Sequence, residues 1–209
     1  MSTGFVYIST VRDIDRMEMT MTRLSERAVQ AAWEEVRLHS LRFTMADVTR
    51  RLHMSKSSLY KIVSSKAELV HLMLDHIMCR FNGEEQRIRS SGQPIAEQIH
   101  CLIQAYLSLV EPMTLTDFYR ELEMQYPREY ERWQTFFHQK IDVTIDMLQQ
   151  GVDAGVFRPI SLQVLQRCLY ASAAAITVPA FLKEHDLTYQ EALESLEDIL
   201  FHGLLAKPE

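Results

Sequence analysis

Lysines, serines and a tyrosine crowd into one short stretch, Ser55-Lys56-Ser57-Ser58-Leu59-Tyr60-Lys61. Lys56, Tyr60 and Lys61 can reach phosphates or base edges. The small hydroxyls of Ser57 and Ser58 let a backbone approach a polyanion closely. This is the chemistry of recognition rather than of bond breaking. The chain carries no G-x-S-x-G, no phosphate-binding P-loop and no Rossmann fingerprint. The elements that must position these side chains are marked in the same region. Ser55 is a good N-cap for a helix over 56–63, with Leu59 and Ile62 as its buried face. Upstream, Thr44 and Asp47 form a capping pair for a helix starting at Met45, whose apolar face is Met45, Val48 and Leu52. A turn at His53-Met54 joins the two, and Ser65 with Glu68 repeats the capping pair at the start of a third helix. Two short helices, a tight turn and a polar second helix are the grammar of a helix-turn-helix that suits a DNA groove.

The pattern Thr44-x-x-Asp47-Val48, then Ser55-Lys56-Ser57-Ser58-Leu59-Tyr60, then Lys66-x-Glu68-Leu69 resembles the amino-terminal DNA-binding domain of the TetR family of bacterial transcriptional regulators. The likeness covers about 45 residues, 23–69. It departs from the family at three positions. His53 stands where the family has a turn glycine, Val63 where it has phenylalanine, and Thr49 where it often has alanine. His53 is compatible with a left-handed backbone. The resemblance implies phosphate contact at Lys66 and near the start of the first helix, and DNA contact by Thr44, Ser55, Lys56, Ser57, Ser58, Tyr60 and Lys61. It also implies an effector pocket among the later helices.

Charge is distributed accordingly. The net charge is −6, which looks wrong for a DNA binder until it is divided. Residues 23–66 hold nine basic and four acidic residues, net +5, whereas 67–209 hold eleven basic and 21 acidic, net −10. Positive charge is concentrated where the helix-turn-helix sits. With 209 residues, 47% of them hydrophobic, and only six glycines and six prolines, the chain reads as a folded, mostly helical protein. Cys79, Cys101 and Cys168 are odd in number and far apart, which argues against a disulfide framework. No apolar run reaches membrane length and no secretory signal opens the chain, so a cytoplasmic location is expected.

The expected organisation is a flexible leader over 1–22, a helix-turn-helix domain over 23–68, and a helical ligand-binding and dimerisation domain over 69–209. The leader is either a plain tail or an arm adding DNA backbone contacts through Arg12, Arg16 and Arg23. Its methionines at 17, 19 and 21 also allow a later translation start. About nine helices are expected in an all-α fold. The first, about 22–39, carries Leu24, Ala28, Ala31, Ala32 and Val36 on one face, with Trp33 filling the domain core. A long connector over 65–89 follows, interrupted or loosened at Asn82-Gly83. A helix over 95–110 ends at Glu111-Pro112. Thr114 and Asp117 cap a helix over 115–125, and Pro127 opens one running to about 152. Then come a G-x-x-x-G-x-F-x-P turn over 151–159, a small-residue helix over 162–183, and a last helix, capped by Thr188 and Glu191, to about 205. Small residues 171–175 and the stripe Leu193, Leu196, Ile199, Leu200 and Leu204 suit a four-helix homodimer interface; packing within one subunit is the alternative. A dimer would read a palindromic operator.

The middle helices are rich in aromatics and methionines, as in pockets for apolar ligands and as in plain cores. Tyr106, Trp133, Phe137 and Tyr170 are candidate cavity-lining residues, with His100 or His138 as a polar handle. Metal ligation is weakly signalled. His71/Asp75, His76/Cys79 and His138/Asp142 have helical spacing, but H-E-x-x-H and paired C-x-x-C are missing. No metal or cofactor is expected, and the acids of the sixth and seventh helices read as solvated faces. The expectation is thus a homodimeric DNA-binding repressor, not an enzyme, released by a small apolar effector. A ligand-independent DNA-binding protein of the same fold is the first alternative. A helical enzyme with a vestigial helix-turn-helix is the second.

Overall fold

The computed structural model describes residues 23–114, 117–176 and 179–204. Over these the chain is all-α, with ten α-helices: α1 Arg23–His39, α2 Met45–Leu52, α3 Lys56–Tyr60, α4 Lys66–Arg89, α5 Ile95–Thr114, α6 Phe118–Gln125, α7 Pro127–Asp153, α8 Leu162–Ile176, α9 Pro179–Glu184 and α10 Tyr189–Leu204. A single 3₁₀ turn, Ser40–Arg42, links α1 to the strand-like approach to α2. The leader, 1–22, and its candidate arm residues Arg12 and Arg16 lie outside the described residues.

Helix starts follow the capping chemistry. The Thr44 side chain accepts from the Asp47 N–H while Asp47 accepts from the Thr44 N–H, a complete capping box. Thr188 and Glu191 do the same before α10. At α4, Ser65 accepts from the Glu68 N–H, but the Glu68 carboxylate turns to the N–H and hydroxyl of Ser64, one residue earlier than the expected reciprocal bond. Pro127 stands in the first turn of α7, where its missing N–H costs nothing.

Elsewhere the helices differ from the sequence reading for local reasons. The expected helix over 56–63 stops at Tyr60, because Ile62 and Val63 both donate to the Leu59 carbonyl and close the chain into a turn. Rather than ending before Pro112, α5 runs on to Thr114, since a proline in the last turn removes only one hydrogen bond. α6 starts at Phe118, and Asp117 accepts from Arg120 instead of capping the helix. Asn82-Gly83 does not break α4: the helix continues to Arg89, and Asn82 accepts from Lys140 of α7. Of the expected helix over 162–183, α8 and α9 cover 162–176 and 179–184, and residues 177 and 178 between them lie outside the described residues.

Two apolar clusters hold the chain. The larger begins with Ala28, Val29, Ala32 and Val36 of α1. It takes in Leu41, Phe43, Val48 and Leu59 and continues through Leu69, Met73 and Phe81 of α4 to Leu109, Phe118, Leu122 and Trp133. It therefore runs without a break across residue 68. Trp33 does not fill the core of the first helices; it is half-buried at the junction, with its ring 5.6 Å from Phe118 of α6. Leu24, expected on the buried face of α1, is partly exposed. The second cluster joins Ile88, Ile99, Leu102, Val143, Met147, Leu148, Phe157 and Leu162. Here the glycine-phenylalanine turn has a physical reading. The Phe157 ring lies so close to Gly151 that a Cβ there would overlap it. Gly155 adopts φ +72°, a conformation that favours glycine.

Candidate nucleic-acid interface

α3 is five residues long, too short to persist as an isolated helix. It is held by two devices, one buried and one polar. Leu59 is fully buried in the larger cluster. Ser55 accepts from the Ser58 N–H and places its own hydroxyl 2.9 Å from that of Ser57 and 2.8 Å from that of Ser58. Such a cap contributes about 1 kcal/mol. The turn that sets α3 against α2 is made by His53, which takes φ 53°, ψ 42° and donates its N–H to the carbonyls of Thr49 and Arg50. The residue that replaces the expected glycine thus occupies a left-handed conformation that histidine tolerates.

Most of the candidate DNA-binding set is left in solvent on and beside α3. Thr44, Ser55, Lys56, Ser57, Ser58, Tyr60 and Lys61 are all exposed. The Tyr60 ring is 48% exposed, a large aromatic left in solvent beside two lysines. Neither Lys56 nor Lys61 makes an ion pair among the described residues. The arginines of α2 are occupied instead: Arg50 pairs with Asp47 at 3.0 Å and Arg51 with the buried Glu35 at 2.7 Å. Lys66 is set apart from the rest. Its Nζ turns inward to donate to the Leu41 carbonyl and lies 4.7 Å from the centre of the Phe43 ring. Burial pushes its ammonium below the usual lysine range, while Glu121 and Asp47 nearby hold it up.

The candidate effector residues fall into three separate groups. Trp133 is only 2% exposed. It lies in one aromatic cluster with Phe137, 6.2 Å away, and with Phe81, which also meets Tyr106 at 4.8 Å. Tyr170 and His138 form a second group at 4.7 Å, where the Tyr170 hydroxyl donates to Asp142. Burial first, then the Asp142 carboxylate, pushes that phenol up to about 12. His100 belongs to a third group, with its Nδ1 2.7 Å from Glu197 of α10, to which Gln104 also donates.

Several polar residues between the elements were not singled out by sequence reasoning. Lys140 is buried, and its Nζ donates to Asn82 at 2.5 Å and to Glu85 at 2.6 Å, with the Phe136 ring 5.0 Å away. Tyr106 donates to the same Glu85 oxygen at 3.2 Å. Glu121, on the expected solvated face of α6, is instead 7% exposed and accepts from the Leu41 N–H at 2.9 Å. On α7, Glu129 meets His71 at 2.8 Å, and Arg132 pairs with both Glu129 and Asp75. A signal was present for two of these. Glu121 shares the i, i+3, i+4 stripe of Phe118 and Leu122, and Lys140 follows Phe136 and Phe137 by four and three residues. Among the described residues no group of three or more His, Cys, Asp or Glu could hold a metal ion. None of the helices is long and apolar enough to cross a membrane.

No family model matches the chain. An HTH-type transcriptional regulator of Bacillus subtilis, YvaF, is 24% identical over 190 residues, spanning 89% of this chain and 98% of that protein. A transcriptional regulator from Saccharomonospora viridis, solved in complex with choline, superposes with a TM-score of 0.73 at 13% identity, covering 90% of this chain and all of its own. A TetR transcription regulator from Haloarcula marismortui gives a TM-score of 0.67 at 16% identity, with 86% and 97% covered. The short capped α3, the long α4 behind it and these superpositions together give this chain the fold of the TetR-type transcriptional regulators.

Proposed function

We propose that the chain is a sequence-specific DNA-binding transcriptional regulator, a homodimeric repressor released from its operator by a small apolar effector. The observation that carries this reading is the exposed Lys56-Ser57-Ser58-Tyr60-Lys61 face on a helix anchored by Leu59. Thr44 and Ser55 flank that face. Lys66, drawn back to Leu41, would act on a phosphate only by letting go of that carbonyl. The protein is read as a regulator and not an enzyme.

One helix-turn-helix reads too few base pairs for selectivity, so two copies are needed, about 34 Å apart on a palindrome. In this reading α8 and α10 form the seam. Val164, Cys168, Ala171 and Ala175 are exposed at three- to four-residue spacing on α8, and Ile199 is exposed on α10. An apolar stripe of this kind favours a second copy of the chain. An effector lodged near Tyr106, Trp133 and Phe137, near Tyr170 and His138, or near His100 would shift the population toward a conformer with the wrong half-site spacing. The Saccharomonospora neighbour holds choline, in keeping with a small ligand in this fold. The burial of Trp133 favours a second reading, in which the aromatic cluster is only core and DNA binding is ligand-independent.

The test is fluorescence anisotropy of the full chain on duplexes selected from a random library, across salt, with a scrambled control. Tight, salt-sensitive and selective binding is expected. Lys56→Ala and Lys61→Ala should each weaken it and lower the salt slope by about one. Equal and weak binding to selected and scrambled duplexes would count against the reading. Operator affinity indifferent to a panel of apolar compounds would favour the ligand-independent form.

A further inference from the structure

The 3₁₀ turn between α1 and α2 is gripped from two sides at one peptide residue. The Leu41 N–H donates to Glu121 Oε2 at 2.9 Å, and the Leu41 carbonyl accepts from Lys66 Nζ. Glu121 belongs to α6 and Lys66 to the first turn of α4, so the same residue is tied both to the sensor-side helices and to the connector. The second oxygen of Glu121 pairs with Arg42 Nε at 3.0 Å. Leu41 is fully buried and Glu121 nearly so. Neither bond can therefore be exchanged for water at low cost. The preceding residue, Ser40, is also fully buried and takes φ +54°. Its hydroxyl has no hydrogen-bond partner among the described residues. A serine in that conformation persists only where its surroundings hold it there. Three residues beyond Leu41, Thr44 caps the first helix of the DNA-reading pair.

We infer that Glu121 is a positioning residue for DNA recognition: through the Leu41 N–H it sets where α2 and α3 sit relative to α6, while Lys66 holds the carbonyl of the same residue to α4. Glu121 touches no DNA. A ligand-driven shift of α6 against α4 would reach the recognition helix by pulling the two ends of this clamp apart, so the two bonds act as a unit. The inference rests on the DNA-binding reading for its consequence, but the clamp itself is independent of DNA.

The experiment uses the full chain and the variants Glu121→Gln, Lys66→Met and both together. Glutamine keeps the shape and one acceptor but loses the charge facing Arg42 and Lys66. On the selected duplex, Glu121→Gln is expected to weaken binding about tenfold, within the range of site-to-site coupling. Binding to the scrambled duplex and the salt slope should be unchanged, because no phosphate contact is lost. The double variant should weaken binding less than the product of the single effects, because both groups hold one residue, Leu41. In parallel, hydrogen exchange without DNA should speed up over residues 39–60 in Glu121→Gln and stay unchanged over α7. Unchanged exchange over 39–60 would overturn the clamp, as would single effects that multiply. Equal loss of selected and scrambled binding together with a lowered melting temperature would reduce Glu121 to a structural role and also overturn it. If the unsubstituted protein shows no selective DNA binding, the functional reading fails by itself, and the exchange arm still decides the clamp.

Discussion

The α2–α3 end and the interior between α4, α5 and α7 satisfy their polar groups by different means. At α2 and α3 the partners are three residues apart: Thr44 with Asp47, Ser55 with Ser58. In the interior they are far apart in sequence. Lys140 reaches Asn82 and Glu85, 58 and 55 residues away, and Arg132 reaches Asp75 across 57 residues. The first arrangement caps short helices locally and leaves Lys56 and Lys61 without an ion pair among the described residues. The second makes an inside whose charges are consumed by the fold itself. A recognition surface can tolerate exchange of its outward side chains, whereas the interior cannot lose a charge without orphaning another.

Three substitutions sharpen that contrast. The largest effect is expected from Trp133→Ala, which empties the aromatic cluster shared by Phe81, Phe136 and Phe137. Urea unfolding should show a loss of about 3–5 kcal/mol. A loss under 1 kcal/mol would mean that the cluster already surrounds a void, as a ligand cavity would. Next comes Lys140→Met, which keeps most of the side-chain volume but leaves Glu85 Oε2 with only the Tyr106 hydroxyl. The same titration should register about 1–3 kcal/mol, and a neutral or stabilising result would show the buried pair to be replaceable. The smallest effect is that of Thr44→Ala, about 1 kcal/mol at pH 7. Here pH adds a check. The Thr44 side chain and N–H hold the Asp47 carboxyl below its usual 3.8. A carboxylate depressed in the folded state stabilises it at neutral pH and loses that contribution as pH falls through the carboxylate range. The cost of Thr44→Ala should therefore shrink in acid, and an identical cost at pH 7 and pH 3 would remove Asp47 from the cap.

The same contrast explains what was legible in the sequence. Thr44, Ser55, Ser65 and Thr188 announced helix starts because a cap is a short-range bond between specific residue types. His53 could stand in for glycine because its backbone preference is its own. The sequence also carried the apolar spacing of α1, α4 and α7. The roles of Glu121 and Lys140 were hidden because their types say solvent while their positions in the apolar stripe say core, and only distant partners settle the conflict. The candidate ligand residues share chemistry but not place. Composition reported Tyr106, Tyr170 and His100 as one set, and tertiary packing separated them into three.

The larger apolar cluster runs unbroken from Ala28 to Trp133, and that bears on how such proteins can be taken apart. A module of the first three helices excised at residue 68 would leave behind Phe118, Leu122 and Trp133, and with them part of the floor on which its own helices rest. Grafting this head onto another sensor body would require transplanting a matching patch of α6 along with it, the carboxylate facing Leu41 included. In this chain, exchange of parts is constrained at the seam between α6 and the first helices rather than at the exposed face of α3.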